Sequence, residues 1–174
     1  MVRSALKSKR RIGEGPVAAA AYVPAASVVF ASLLASLPII SNNGWFPDFA
    51  FLILIGWRLL RSDPFPAWWA APLGFWNDLV TGTPIGFSVT VWTAALVALD
   101  LGDRRTLFHD YWVEWALAVL LVLTSEWAQL QVAAWMGAAL PFFTLLPPVL
   151  ISAASFPLFA FIIARLDHWR LGRQ

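Results

Sequence analysis

The sequence contains no cysteine and only two histidines among its 174 residues. Without cysteine there can be no disulfide bond and no thiolate chemistry, and few ligands remain for a zinc site. The chain also lacks a Walker-type phosphate-binding loop and a Gly-x-Ser-x-Gly nucleophile turn. We therefore predict no cofactor and no metal site, and we expect that the protein is not an enzyme.

Charged residues are scarce as well. Only 13% of the chain is charged and 60% is hydrophobic, whereas about a quarter of an ordinary soluble domain is charged. A bilayer is therefore the expected solvent for most of the chain. Backbone amides in lipid must be satisfied within helices or a closed barrel, and the alternating polar positions of a barrel are missing. The composition predicts an all-α membrane protein.

The apolar residues group into six predicted transmembrane spans, at 17–40, 46–60, 66–80, 84–99, 111–136 and 141–164. With this count all twelve lysines and arginines fall on one side, which the positive-inside rule identifies as the cytoplasm. A five-span arrangement would leave one basic group outside. The prediction is a multi-pass protein with both termini in the cytoplasm. It has a basic tail at 1–15, a transmembrane domain at 16–165 and a second tail at 166–174.

Spans two to four have only about fifteen residues each, and roughly twenty are needed to cross a typical hydrocarbon core. We therefore expect longer helices to shield them. Several tryptophans fall near predicted span ends, where indole rings suit the headgroup layer. They are Trp45, Trp57, Trp68, Trp69, Trp112, Trp135 and Trp169.

A basic edge ends the second span, at Trp57, Arg58 and Arg61. The favoured interpretation is that both arginines extend to the headgroups and help to set the topology. Contact with anionic membrane lipid or a cytoplasmic partner is the alternative. Nucleic acid is not an expected partner, because basic and aromatic residues do not combine into a soluble binding face.

The stretch "GFWNDLVTGTPIG", residues 74–86, places Asp78 inside this apolar chain. A charge facing lipid is costly, so Asp78 should face the protein interior. It can cap the helix that Pro84 begins, take part in partner binding or gating, or contact a ligand or proton. Gly74 lies on the same helical face and would let another backbone approach closely.

Glu126 is the second acidic residue within a predicted span. Together with Gln129 and the neighbouring Thr124, Ser125 and Gln131 it forms a polar stripe suited to hydrogen bonds between helices. An ionisable group inside a membrane is also a functional candidate, so Glu126 and Gln129 form a candidate polar site. An acid/base pair of Asp78 with Glu126 is geometrically possible, but Asp78 lacks the flanking pattern of an intramembrane aspartyl protease. His109 and His168 are both expected at the cytoplasmic edge.

The segments "FPDFAFLILIGWRLLRSDP" and "APLGFWNDLVTGTPIGFSV" resemble the MreD family of rod shape-determining membrane proteins. The match consists of Pro47-Asp48 at the start of the second span and the spacing Gly74-x3-Asp78-x3-Gly82-x-Pro84-x-Gly86. It covers residues 46–100. The first, fifth and sixth spans match only in length, apolarity and order, and the family has no motif at Glu126.

This resemblance implies a non-enzymatic component of the cell-elongation machinery in the bacterial cytoplasmic (inner) membrane. Such a protein would bind MreC and, through it, act with MreB, RodA and a class B penicillin-binding protein in lateral peptidoglycan synthesis. The family is also similar in fold to substrate-binding S-component subunits of energy-coupling-factor transporters. Carried over by position, the motif nominates five residues as a partner-binding or structural turn: Gly74, Asp78, Gly82, Pro84 and Gly86.

The alternative function is a small-molecule-binding membrane subunit of such a transporter. It predicts an outward-facing pocket lined by Trp76, Trp92 and Trp127, with Asp78 or Glu126 fixing a polar group of the ligand. The same tryptophans can equally be packing residues.

Overall fold

The computed structural model describes residues 22–37, 46–60, 66–103, 111–138 and 140–171. Within these ranges the protein is all-helical, without strands. These ranges contain six α-helices, which are α1 (Val23–Ala35), α2 (Phe49–Leu60), α3 (Ala70–Thr81), α4 (Phe87–Asp103), α5 (Tyr111–Trp135) and α6 (Leu146–Leu171). Short 3-10 helices at Ala67–Trp69 and Phe142–Leu145 lead into α3 and α6.

Each of the six predicted spans overlaps one of these helices, and α4 continues past the predicted end at 99 to Asp103. The main difference is at the C-terminal end, where α6 continues past Ala164 to Leu171 with Pro157 inside it. Residues 166–171, predicted as part of a tail, therefore belong to this helix. The predicted N-terminal tail, 1–15, lies outside the described residues.

Helix α2 runs antiparallel to α1 and to α3, because Asn77 near the end of α3 binds Asp48 just before α2. At one end of the bundle, the Trp57 indole in the last turn of α2 donates a hydrogen bond of 2.9 Å to Ser27 Oγ near the start of α1. At the opposite end, Ala35 of α1 and Asp48 just before α2 line one cavity. The Trp115 indole of α5 donates to the carbonyl of Ala153 in α6 at 3.0 Å.

Helix α2 occupies the centre of the bundle, because it packs against α1, α4, α5 and α6. Eight of its twelve residues are buried: Ala50, Phe51, Leu52, Leu54, Ile55, Gly56, Trp57 and Arg58. A helix that is apolar on all sides is usually buried, either by neighbouring helices or in a membrane, and here neighbouring helices cover most of it. The expected shielding of the short spans therefore holds for α2. It does not hold for α3, which exposes Phe75, Trp76 and Leu79.

Helices α5 and α6 are the long apolar elements. Tyr111–Trp135 and Phe142–Trp169, which includes the short 3-10 helix before α6, are each long and apolar enough to cross a membrane. Their mean hydropathies are 1.4 and 2.1, and most of each stretch faces outward. Large apolar side chains on the outside include Leu120, Trp127, Leu150 and Phe161.

Arg58 lies inside the bundle, and the interpretation that it extends to the headgroups is wrong. Its side chain is only 6% exposed. Its Nε donates to Asp100 Oδ1 of α4 at 3.0 Å, and Nη2 contacts the same oxygen. A carboxylate within reach makes pairing more favourable than leaving an unpaired cation in apolar surroundings. Arg58 is therefore not presented to lipid or to a cytoplasmic partner. Arg61 lies outside the described residues.

Trp57 is also fully buried, so it does not anchor the protein at a headgroup layer. Ser27 is close enough to accept its indole hydrogen, which satisfies the polar end of the ring inside the protein. Trp68, Trp112, Trp135 and Trp169 are exposed near helix ends, as predicted. Trp45 lies outside the described residues.

The pairing of Arg58 with Asp100 predicts an asymmetric response to substitution. Asp100→Ala should lower the free energy of unfolding by about 2 kcal/mol, because it removes the carboxylate bound to a buried guanidinium. This figure is below the usual range for a fully buried pair, since Asp100 is partly exposed. Arg58→Met combined with Asp100→Leu should be less destabilising, because neither charge remains. Thermal denaturation in mild detergent measures both, and equal losses would contradict the prediction.

Candidate functional site

The turn between α3 and α4 is built on two glycines with positive φ. Gly82 ends α3 at φ 72°, and its amide donates to the Asp78 carbonyl at 3.1 Å. Gly86 has φ 95° just before α4 begins. Side chains disfavour this left-handed region, so glycine is the suitable residue at both places. Pro84 between them accepts a hydrogen bond from the Phe87 amide at 3.0 Å.

Asp78 caps the start of α4 with its carboxylate. Its Oδ1 accepts hydrogen bonds from the Ser88 amide at 2.9 Å and from Thr83 Oγ1 at 2.8 Å, and its Oδ2 accepts from the Gly86 amide at 2.7 Å. The side chain is 1% exposed. The first amides of a helix have no partner within the helix, and a carboxylate is favoured there. These bonds confirm the capping interpretation of Asp78.

Gly74 lies where α3 and α4 touch. A Cβ atom on it would lie 2.7 Å from the Val89 nitrogen and 2.8 Å from the Ser88 carbonyl carbon. Both contacts are backbone atoms of α4, closer than real Cβ contacts. The predicted close approach of another backbone is thus confirmed. It brings the Ser88 amide within reach of Asp78, so the motif residues form one structural unit.

A second carboxylate, Asp48, caps α2 beside this turn. Its Oδ1 accepts hydrogen bonds from the amides of Ala50 and Phe51 at 3.0 and 3.1 Å. Its Oδ2 accepts one from Asn77 Nδ2 at 3.2 Å, and the same nitrogen donates to Ser88 Oγ at 3.1 Å. One asparagine therefore joins the starts of α2 and α4.

Sequence reasoning did not nominate Asn77 or Ser88, and Asp48 entered only through the resemblance. The available signal was a second polar residue next to Asp78 on an apolar helix. A buried amide needs partners, so Asn77 indicated that the polar site extends beyond one carboxylate.

A cavity of about 220 Å³ lies next to the two caps. Its wall contains residues from α1, α3, α4 and α5 and from the segment that leads into α2. The polar lining residues are Asp48, Asn77, Thr81, Thr83, Ser88, Ser125, Glu126 and Gln129. It lies at the bundle end where α1 and α3 finish and α2 and α4 begin.

Glu126 and Gln129 are together in this cavity, with Ser125. The rest of the predicted stripe lies elsewhere: Gln131 is exposed, and the Thr124 hydroxyl donates to the Leu121 carbonyl of its own helix at 2.8 Å. Among the described residues, Glu126 forms no hydrogen bond across a helix interface. The described residues thus show Glu126 lining a cavity and do not include a helix-to-helix hydrogen bond from this part of the stripe.

Asp78 does not line the cavity, because its oxygens are directed at the start of α4. The carboxylate that shares this cavity with Glu126 is instead that of Asp48. The three tryptophans of the pocket prediction are also separated. Trp92 is buried and stacked on Phe51 with ring centroids 6.0 Å apart, Trp76 is on the outside of α3, and Trp127 lines another cavity. A pocket built from all three is excluded by these positions.

The electrostatic character of the cavity follows from its lining. Two carboxylates and two amides border it, and among the described residues that line it there is no lysine, arginine or histidine. Across the described part of the chain, no three His, Cys, Asp or Glu residues cluster in a way that could hold a metal ion. Chemically, the cavity can accept hydrogen bonds and favours positive charge. No family model, no curated protein and no solved structure matches this chain.

Proposed function

We propose that this chain is a multi-pass protein of the bacterial cytoplasmic membrane and a non-enzymatic component of the cell-elongation machinery, as MreD proteins are. Its six helices cross the membrane with both termini in the cytoplasm. It binds MreC and helps to organise lateral peptidoglycan synthesis together with MreB, RodA and a class B penicillin-binding protein. The observation that carries this proposal is that Gly74, Asp78, Gly82, Pro84 and Gly86, the residues of the MreD-like motif, form one hydrogen-bonded turn.

The geometry of the turn supports a structural role for the motif rather than catalysis. The Asp78 carboxylate already accepts three hydrogen bonds, from two backbone amides and one hydroxyl. It is buried, so no substrate can reach it without unfolding the turn. A motif whose residues fix the backbone of a turn suits a protein that presents a rigid surface to a partner.

The outside of the bundle supports the membrane part of the proposal. Long apolar stretches face outward on α5 and α6, while Arg58 and Asp100 are paired inside. This distribution suits lipid, where charged groups are paired or directed inward and apolar side chains face the hydrocarbon.

The first experiment is a mild-detergent pull-down of the tagged protein from its native membrane, with bound proteins and small molecules identified by mass spectrometry. The scaffold proposal expects MreC and elongation-synthase components. Asp78→Leu should lower their recovery or the yield of folded protein. Retention of a vitamin-like molecule or an ATPase module in their place would overturn the proposal.

The proposed topology has a direct test, since the chain lacks cysteine and any introduced thiol is unique. Ile85 and Ala138 lie in exposed turns on the proposed outer side, and Tyr111 lies at the start of α5 on the proposed inner side. The three test variants are Ile85→Cys, Ala138→Cys and Tyr111→Cys. A membrane-impermeant maleimide added to spheroplasts should label the first two and spare the third until the cells are lysed. Labelling of Tyr111→Cys in intact spheroplasts would reject the orientation.

A small-molecule-binding subunit of an energy-coupling-factor-like transporter is the second candidate function. The observation in its favour is the polar cavity beside α3 and α5, which includes Glu126 as that hypothesis allowed. The separate positions of Trp76, Trp92 and Trp127 disfavour this second function, because the tryptophan-lined pocket that it predicts is not formed.

A further inference from the structure

We propose that α6 is hinged at Pro157, so that α5 and residues 146–156 of α6 move as one arm against the rest of the bundle. The Trp115 indole holds the two parts of this arm together beside the hinge. This inference goes beyond the partner proposal and does not depend on it, because the movement can be measured on the purified chain alone.

Helix α6 lacks one of its backbone hydrogen bonds at the proline. Pro157 lies inside the helix and has no amide hydrogen, so the carbonyl of Ala153, four residues earlier, has no helical donor. The proline ring also pushes against this carbonyl, and prolines are a usual cause of sharp bends in helices. The hydroxyls of Ser152 and Ser155 donate to carbonyls of the same helix at 2.7 and 3.3 Å, and such bonds often bend a helix. Helix α6 therefore resists bending least at this position.

The Trp115 indole of α5 takes the place of the missing amide. It donates to the Ala153 oxygen, the carbonyl that Pro157 leaves without a helical donor, at 3.0 Å. Neighbouring helices commonly satisfy the backbone groups that a proline frees within a membrane. Because this donor belongs to another helix, the Ala153 carbonyl joins α6 to α5 instead of joining the two turns on either side of the proline.

Beyond the proline, α6 is held by the central helix α2. The ring of Phe159 packs on that of Phe49 with centroids 5.7 Å apart, and Ile163 lies against Gly56. Phe156 is buried directly next to the proline, so it lies at the pivot and need move little. Pro157 therefore separates the segment bonded to α5 from a segment that packs on the centre of the bundle.

Helix α5 has few polar ties to the other helices. Within the described part of the chain, its side chains form one hydrogen bond to another helix, the one from Trp115, since that of Thr124 stays within α5. Most of the helix also faces outward. The described residues thus contain no polar bond from α5 to α1, α2, α3 or α4 that would stop the arm from moving.

Movement of the arm would change the width of the cavity beside the two caps. On the side of the arm, the cavity wall contains Ser125, Glu126 and Gln129. Asp48 and Asn77 belong to the part of the wall that stays with the bundle. The hinge therefore controls how far these two groups of polar side chains are apart.

The test measures the distance between two spin labels, since the chain has no cysteine of its own. Leu79→Cys in α3 and Gln131→Cys in α5 place the labels at exposed positions, one on the bundle and one on the arm. Pulsed electron spin resonance of the detergent-purified full chain should give a broad distribution of distances. Pro157→Ala supplies the missing amide to Ala153 and stiffens α6, so it should narrow this distribution.

Leu33→Cys in α1 combined with Leu79→Cys in α3 is the matched control, because both positions are exposed and neither belongs to the arm. Its distribution should be narrow, and Pro157→Ala should leave it unchanged. The hinge would be refuted by an arm distribution as narrow as that of the control pair, or by one that Pro157→Ala does not alter.

A pair of substitutions tests the role of Trp115 separately. Trp115→Phe keeps an aromatic ring but leaves the Ala153 carbonyl without a donor, so it should lower the thermal midpoint by about 5 °C. In the Pro157→Ala background the helix supplies a donor, and the same substitution should have a much smaller effect. Trp112→Phe, at an exposed tryptophan three residues earlier, should change neither midpoint. Equal losses from Trp115→Phe in both backgrounds would overturn the assignment of the indole to the hinge.

Discussion

Gly74→Ala is expected to cause one of the largest losses of folded protein among single substitutions in this chain. The added methyl would lie 2.7–2.8 Å from backbone atoms of Ser88 and Val89, which cannot rotate away. Overpacking usually costs about 1–3 kcal/mol, and immovable neighbours place this case at the upper end of that range. The methyl also separates α3 from α4, which moves the Ser88 amide away from Asp78.

Gly56→Ala is the matched control for this prediction. Gly56 is likewise a buried helical glycine, but a Cβ there meets the end of the Ile163 side chain, which can change its rotamer. Alanine is also the better helix former by about 1 kcal/mol, so the net change should be small. Folded yield and thermal midpoint in mild detergent compare the two variants. Equal effects would show that the approach of α4 does not determine the Gly74 result.

Asp78→Leu is the second substitution with a large expected effect. It leaves the amides of Gly86 and Ser88 and the hydroxyl of Thr83 without their acceptor. Each buried donor left unpaired costs roughly 1–3 kcal/mol, so the total loss should reach about 4 kcal/mol. The start of α4 should then fray, and the thermal midpoint should fall.

A graded series separates this mechanism from a general intolerance of position 78. Asp78→Asn retains one acceptor oxygen but places the NH2 group of its side-chain amide opposite a backbone donor. The thermal midpoint of this variant should therefore lie between those of the unmodified chain and Asp78→Leu. Thr83→Val removes only one of the three donors and should cost about 1 kcal/mol. Amide hydrogen exchange at residues 86–90 reports the cap directly. Unchanged exchange in Asp78→Leu would contradict the capping role.

The approximate positions of the helices could be predicted from the apolar stretches of the sequence, because each stretch is bounded by turn or basic residues. The central turn was also predictable, since a Gly-x-Pro-x-Gly sequence after a carboxylate limits the backbone strongly. The exposure of α3 and the burial of Arg58 were not predictable. Both features depend on which helices are neighbours in the bundle. Nothing in the sequence around Arg58 indicates that Asp100 is its partner.

The candidate site was predicted only in part for the same reason. Glu126 and Gln129 were nominated together and do share a cavity, but their neighbour across it is Asp48 rather than Asp78. These acids come from helices far apart in sequence, so spacing along the chain carries no information about their proximity. Asn77 binds Asp48 and Ser88 beside this cavity, and a single asparagine in an apolar helix does not indicate in the sequence which residues it will bind.

The central position of α2 has a consequence for how the protein is assembled. Both ends of this helix have polar groups whose partners are synthesised later: Asn77 of α3 binds Asp48, and Asp100 of α4 binds Arg58. When α2 leaves the ribosome it has neither partner, and its guanidinium would be poorly accommodated in lipid alone. In the membrane location proposed above, we expect α2 to remain beside the insertion machinery until α4 has been made, so that helices α1 to α4 enter the bilayer as a group.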